Sequence, residues 1–213
     1  MSQTTQHDLI GIADVAAKIP AFLKKVPNLV NGLRQAYLRT PNTAAGLGLA
    51  FEKAVQRNPE GIALRFEDQS FSYTELNGWA NQIAHYYLSL GAKKGDVVAL
   101  MVENRPEFIA SVIGLAKLGI TIALVNTSQV GKVLTHSINL VKPIAVIVGE
   151  ECRAAVDEIR HDLNIAADRF HWFADQNTQE NAGQAPEGFI NLAEQIDQFP
   201  KFNTPTTHSV QGK

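Results

Sequence analysis

Near the start of the chain the apolar positions recur in steps of three and four: Ile12, Val15, Ile19, Phe22, Val26, Leu29, Leu33 and Tyr37. That spacing draws one face of a helix. Pro20 and Pro27 fall inside the pattern. Each lacks a backbone donor and crowds the preceding turn, so the spacing predicts two or three short helical pieces over residues 8–39 rather than one rod. Thr40-Pro41-Asn42 closes the segment.

From residue 44 the pattern changes to short apolar runs alternating with amphipathic stretches. Residues 47–57 read as a helix stopped by Asn58-Pro59. Residues 62–66 and 70–73 read as two brief strands around Glu67-Asp68-Gln69. Ser72-Tyr73-Thr74-Glu75 has the form of a capping box, with a hydroxyl for an orphan amide and a carboxylate reaching back to the cap. It opens a helix that runs to Leu90, and Gly91 is its natural stop. Apolar strands follow at 97–102, 121–125, 144–148 and 170–173, with helices between them: one from Pro106 to Gly119, one over 130–141 and one over 151–163. A further helix is predicted over 189–199, after a polar loop over 175–187. The strands are uniformly apolar rather than alternating, which fits burial on both faces of a parallel sheet. The fold class is therefore α/β: an open, doubly wound, mostly parallel sheet with helices on both faces, preceded by a helical amphipathic leader. The expected domains are the leader (1–43), the α/β body (44–205) and a disordered tail (206–213).

Charge sharpens this picture at one place. The whole chain is nearly neutral, with 19 Lys+Arg against 21 Asp+Glu, a balance that speaks against a dedicated nucleic-acid binder. Residues 8–39 instead carry Lys18, Lys24, Lys25, Arg34 and Arg39 against Asp8 and Asp14, five basic groups to two acidic. A basic amphipathic segment fits an anionic membrane surface, a partner, or packing on the body. The single cysteine, Cys152, excludes a disulfide scaffold and a cysteine zinc site. No secretory signal and no apolar run long enough to span a bilayer is evident, so a cytoplasmic protein is expected.

Candidate chemistry is sparse. Gly114 and Gly119 have phosphate-loop spacing but are followed by Ile120-Thr121 and sit on a helix, which favours packing. His161 and His171 lie either side of a helix-to-strand turn with no third metal ligand in register. Cys152, near a helix start, is read as an inert thiol. In the run Asn104-Arg105-Pro106-Glu107-Phe108, capping of the following helix by Asn104 is favoured over an anion held by Arg105.

Several runs are more specific. They are Phe71-Ser72-Tyr73-Thr74-Glu75-Leu76 leading into Asn77-Gly78-Trp79-Ala80-Asn81, Leu90-Gly91 followed by Gly95-Asp96, Glu103-Asn104-Arg105-Pro106-Glu107-Phe108, and Leu118-Gly119 through Val125-Asn126-Thr127. Together with the rest of residues 96–151 they closely resemble the N-terminal subdomain of the adenylate-forming (AMP-binding) acyl-CoA synthetases. The detail is similar to the long-chain and very-long-chain, fatty acid transport protein branch. The resemblance covers residues 44–206, and residues 8–39 resemble the basic helical leader of some bacterial members.

The resemblance implies a two-step reaction. A fatty carboxylate attacks the α-phosphate of ATP, releasing pyrophosphate, and the thiol of coenzyme A then displaces AMP to give acyl-CoA. Magnesium neutralises phosphate charge in such chemistry. The family's phosphate donors come from a Ser/Thr/Gly-rich loop ending in Pro-Lys, which cannot be placed on this sequence. The chain is therefore expected to be a fragment, inactive alone, with no catalytic, nucleotide-binding or metal residue and no tight binding of ATP, magnesium or coenzyme A. By position in the fold, the resemblance puts an edge of the coenzyme A site at Asn126, Thr127 and Arg153. Fatty acid and coenzyme A are the implied partners through the rest of the enzyme, with an anionic membrane contacted through residues 8–39 and no nucleic acid. The expected location is cytoplasmic, peripheral at the inner face of the membrane. The competing expectation is a non-catalytic membrane- or partner-binding module derived from the same subdomain.

Overall fold

The computed structural model describes residues 19–20, 22–37, 46–174 and 184–204. The expectations for residues 8–18, for most of the polar loop (175–183) and for the 206–213 tail lie outside the described residues. The chain divides into two compact units, Met1–Thr43 and Ala44–Lys213.

In the first unit the helical path breaks at a turn over Lys24 and Lys25, and helix α1 then runs over Val26–Tyr37. Pro27 lies in the first turn of α1, where its missing N–H leaves no hydrogen bond unmade. The proline thus starts a helix instead of ending one.

The second unit begins with α2 (Leu47–Arg57) and an antiparallel hairpin of β1 (Ile62–Phe66) and β2 (Gln69–Ser72). Glu67, at φ 49°, makes its turn. Helix α3 (Tyr73–Ser89) starts from the expected capping box: Ser72 Oγ accepts from Glu75 N at 3.1 Å, and Glu75 Oε2 accepts from Ser72 N at 2.8 Å. Gly91 ends it at φ 80°, a conformation open to glycine at little cost.

Then come β3 (Val97–Met101), α4 (Pro106–Lys117), β4 (Thr121–Leu124), α5 (Gly131–Val141), β5 (Ala145–Gly149), α6 (Glu150–Ile159), β6 (Phe170–Phe173), β7 (Ile190–Asn191) and α7 (Leu192–Asp197). Strands β3 to β7 form one sheet in the order β4-β3-β5-β6-β7, every pair parallel. The two-residue β7 and the shorter α7 replace the single helix expected over 189–199. Asn191 explains the boundary: its side-chain oxygen accepts from Glu194 N and caps α7, so Ile190 remains extended.

The pleat sends alternate residues to opposite faces, and two cores result. Val98, Leu100, Ala145, Ile147 and Phe173 face α3, α4 and α7. Ala99, Met101, Val146, Val148, Phe170 and Trp172 face α5 and α6. This is why the strands read as unbroken apolar runs. Of the two glycines expected on this helix, only Gly114 lies on α4 and belongs to this packing. A Cβ on Gly114 would stand 2.5 Å from the Ala80 carbonyl oxygen of α3, so the two helices meet backbone to backbone. Gly119, at φ 70°, is the turn after α4.

Candidate functional site

In an open parallel sheet, ligands sit at the carboxyl ends of the strands, where the winding direction reverses. Here β4 lies on one side of β3 and β5 on the other, so the reversal falls between β3 and β5. The chain's own side chains fill that crevice. Glu151, in the first turn of α6, accepts from the backbone N–H of Glu103 at 2.6 Å. A Cβ on Gly149 would collide with the Glu151 carboxylate, so the carboxylate lies tight against the end of β5.

Arg105 closes the other side. Its guanidinium donates to the carbonyls of Ala174 at 2.8 Å and Phe173 at 3.1 Å, at and just past the end of β6. It also faces Glu151 at 3.6 Å and Glu107 at 3.7 Å. This corrects the expected role of Asn104. The cap residue of α4 is Arg105, and no side chain caps that helix. Carbonyls at the end of a buried strand need donors, and the arginine supplies them. Its charge faces the fold's own backbone carbonyls and carboxylates.

The three positions expected at a coenzyme A edge fall on the same carboxyl edge but on opposite sides of β3. Asn126 and Thr127 follow β4, where the Asn126 side-chain oxygen accepts from Ser128 N at 2.9 Å. Arg153 sits on α6, after β5. It lines a cleft of about 290 Å³ with Glu150, Trp172, Gln184, Ala185 and Pro186. Glu150 organises this cleft: it accepts from Trp172 Nε1 at 2.6 Å and from Arg153 Nε at 3.1 Å. Among the described residues no other group bonds the Arg153 terminal nitrogens, so the cleft presents a guanidinium fork of the kind that suits phosphate. Nothing in the sequence pointed to Trp172, because a tryptophan on a buried strand looks like core. Its indole N–H finds Glu150 only through the β5–β6 pairing.

Two other candidates resolve into structure. His171 is fully buried, with Nε2 3.0 Å from Tyr86 Oη and Nδ1 2.7 Å from Tyr87 Oη. Both ring nitrogens are therefore engaged. A neutral imidazole offers one donor and one acceptor, so one tyrosine donates to the ring and the other accepts from it. Burial, helped by the Arg169 charge, pushes the His171 pKa down to about 3. Cys152 is buried, and burial together with Glu151 and Glu103 pushes its thiol up to about 12, which keeps it protonated and unreactive.

Among the described residues no three His, Cys, Asp or Glu side chains converge. The one Pro-Lys pair in the sequence, Pro200-Lys201, follows Asp197-Gln198-Phe199 rather than a Ser/Thr/Gly run. The Lys201 carbonyl accepts from Asn81 at 2.7 Å, which ties this stretch to α3.

The strand order and the helices on both faces define an open parallel α/β domain. Residues 51–207 match the family model described as AMP-binding enzyme, and the chain belongs to that family. It is 30% identical over 152 residues to the medium/long-chain-fatty-acid–CoA ligase FadD6 of Mycobacterium tuberculosis, covering 71% of this chain and 26% of the relative. It is likewise 30% identical over 163 residues to human long-chain fatty acid transport protein 6, covering 75% of this chain and 25% of the relative. In structure it is similar to the anthranilate CoA ligase AuaEII, solved with anthranoyl-AMP, at a TM-score of 0.69 with 19% identity over 78% of this chain and 30% of the other. The N-terminal domain of FACL13 from Mycobacterium tuberculosis superposes at 0.61 with 22% identity, covering 76% of this chain and 38% of the other. These two likenesses establish the α/β fold. The chain spans about a quarter of the length of the curated relatives it matches.

Proposed function

We propose that the chain is the N-terminal part of a fatty acyl-CoA synthetase, which joins a fatty acid to coenzyme A at the expense of ATP cleaved to AMP and pyrophosphate. The family match over residues 51–207, together with relatives named as fatty-acid–CoA ligases, carries this reading. The residues present form a scaffold: Arg105 and Glu151 fix the carboxyl edge of the sheet, and no group here is assigned to ATP or magnesium. The chain alone therefore gives no fatty-acid-dependent exchange of pyrophosphate into ATP; exchange above background would overturn that statement. Its role as a scaffold is tested by replacing the matching quarter of the FadD6 relative with residues 44–204. A chimera that folds and forms acyl-CoA supports the reading, and a folded but inactive chimera rejects it.

Coenzyme A, when bound, supplies the thiol that takes the acyl group. Within the same proposal Arg153, with Asn126 and Thr127, touches its phosphate-bearing part, because the cleft beside Arg153 offers a guanidinium fork that, among the described residues, is bonded only at Nε. In the chimera, Arg153→Glu raises KM for coenzyme A and leaves KM for ATP unchanged. The proposed location is cytoplasmic, with a peripheral attachment at the inner face of the membrane.

A further inference from the structure

Six apolar side chains of the first unit stand half exposed or more: Ile19, Phe22, Leu23, Leu29, Val30 and Leu33, between 50% and 60%. On α1 the positions of Leu29, Val30 and Leu33 share one face, and those of Asn28 and Asn31 lie opposite. Water-facing apolar rows of this kind need a covering surface. The charge around them says which one. Between Val15 and Phe51 there are five basic side chains and no acidic one, whereas a solvated helix ordinarily mixes both signs. Lys24 and Lys25 are exposed at the turn between the two helical pieces, next to Phe22 and Leu23. The twelve residues of α1 span about 18 Å at 1.5 Å each, too short to cross a bilayer. Among the described residues no helix is long and apolar enough to do so.

We infer that residues 19–37 form an interfacial anchor that lies in the surface of a bilayer containing anionic phospholipid. Phe22, Leu23, Leu29, Val30 and Leu33 enter the acyl boundary, and Lys24 and Lys25 meet the headgroup phosphates. This rests on the peripheral placement proposed above, but not on the synthetase reading. The chimera carries the body without residues 19–37, and the exchange experiment contains no membrane, so either proposal can fail without the other.

The test uses the full chain, sedimented with vesicles of phosphatidylcholine alone or of phosphatidylcholine with one third phosphatidylglycerol. The chain pellets with the anionic vesicles and much less with the neutral ones, and added salt weakens the binding. Lys24→Glu with Lys25→Glu lowers affinity about thirtyfold or more, since it removes two favourable charges and adds two repulsive ones. Leu29→Ser with Leu33→Ser lowers it about tenfold or more. Emission from Trp79 and Trp172, both in the body, checks that each variant keeps its fold. Failure to pellet with anionic vesicles, equal pelleting with both kinds, or variants that bind like the parent would each overturn the inference. Failure to pellet would assign the apolar row to a protein partner instead.

Discussion

His171 illustrates how one buried side chain sets a pH response. Its ring stays neutral in the folded protein down to about pH 3, while an unfolded histidine takes up a proton near pH 6.5. Below that value the unfolded chain binds the extra proton, so the stability held at neutral pH is lost as pH falls from about 6.5 towards 3. The slope from this residue approaches 1.4 kcal/mol per pH unit. Urea titrations between pH 7 and pH 4 show the decline, and His171→Phe reduces it. Tyr87→Phe leaves Nδ1 of the ring without its partner and costs about 1–3 kcal/mol at pH 7. No sequence pattern announced this trio. Tyr86 and Tyr87 are adjacent on α3 and His171 lies on β6, so only the packing of that helix on that strand brings them together.

At the scale of elements, the capping box and the close crossing of α3 and α4 make the sharpest predictions. Ser72→Ala removes the acceptor for Glu75 N and costs about 1 kcal/mol in thermal or chemical unfolding. Gly114→Val forces the Ala80 backbone away and costs about 1–3 kcal/mol or more. Lys117, at the end of α4, is fully buried and gathers distant pieces. Its Nζ donates to Asn77 and Asn81 at 2.6 Å each and to Asn203 at 3.1 Å, and lies 3.3 Å from Glu52. Lys117→Met removes the cation that these acceptors and the Glu52 carboxylate share, at a cost of about 3–5 kcal/mol. It also speeds amide exchange over residues 199–204, which the cluster holds against α3. The helices and the main strands were legible from spacing, caps and breakers, because those are local properties. β7 was not legible. Two residues carry too little pattern, and their extended form depends on pairing with β6 and on the Asn191 cap. The role of Arg105 was missed for a related reason: its acceptors at 173 and 174 are far along the chain.

At the scale of the whole molecule, the two cores and the parallel order leave a carboxyl edge braced by Arg105, Glu107 and Glu151. Arg105→Ala leaves two strand-end carbonyls and two carboxylates without their cation. It lowers stability by about 3 kcal/mol or more, read by chemical denaturation. The accompanying change is a loosened end of β6, seen as lost protection at Phe173 in amide exchange. By itself the sequence determined the alternation of helix and strand, the burial of the strands on both faces, the capping box, and the family through its local runs. Periodicity, caps and motifs act over a few residues, and a single chain displays them directly. The tertiary structure alone decided the strand order, the switch point between β3 and β5, the filling of that crevice by Arg105 and Glu151, the Glu150–Arg153–Trp172 cleft and the burial of His171 and Lys117. Each of these depends on which distant segments pack together. That choice follows from the total apolar surface buried and the polar groups satisfied across the body, which no local window contains.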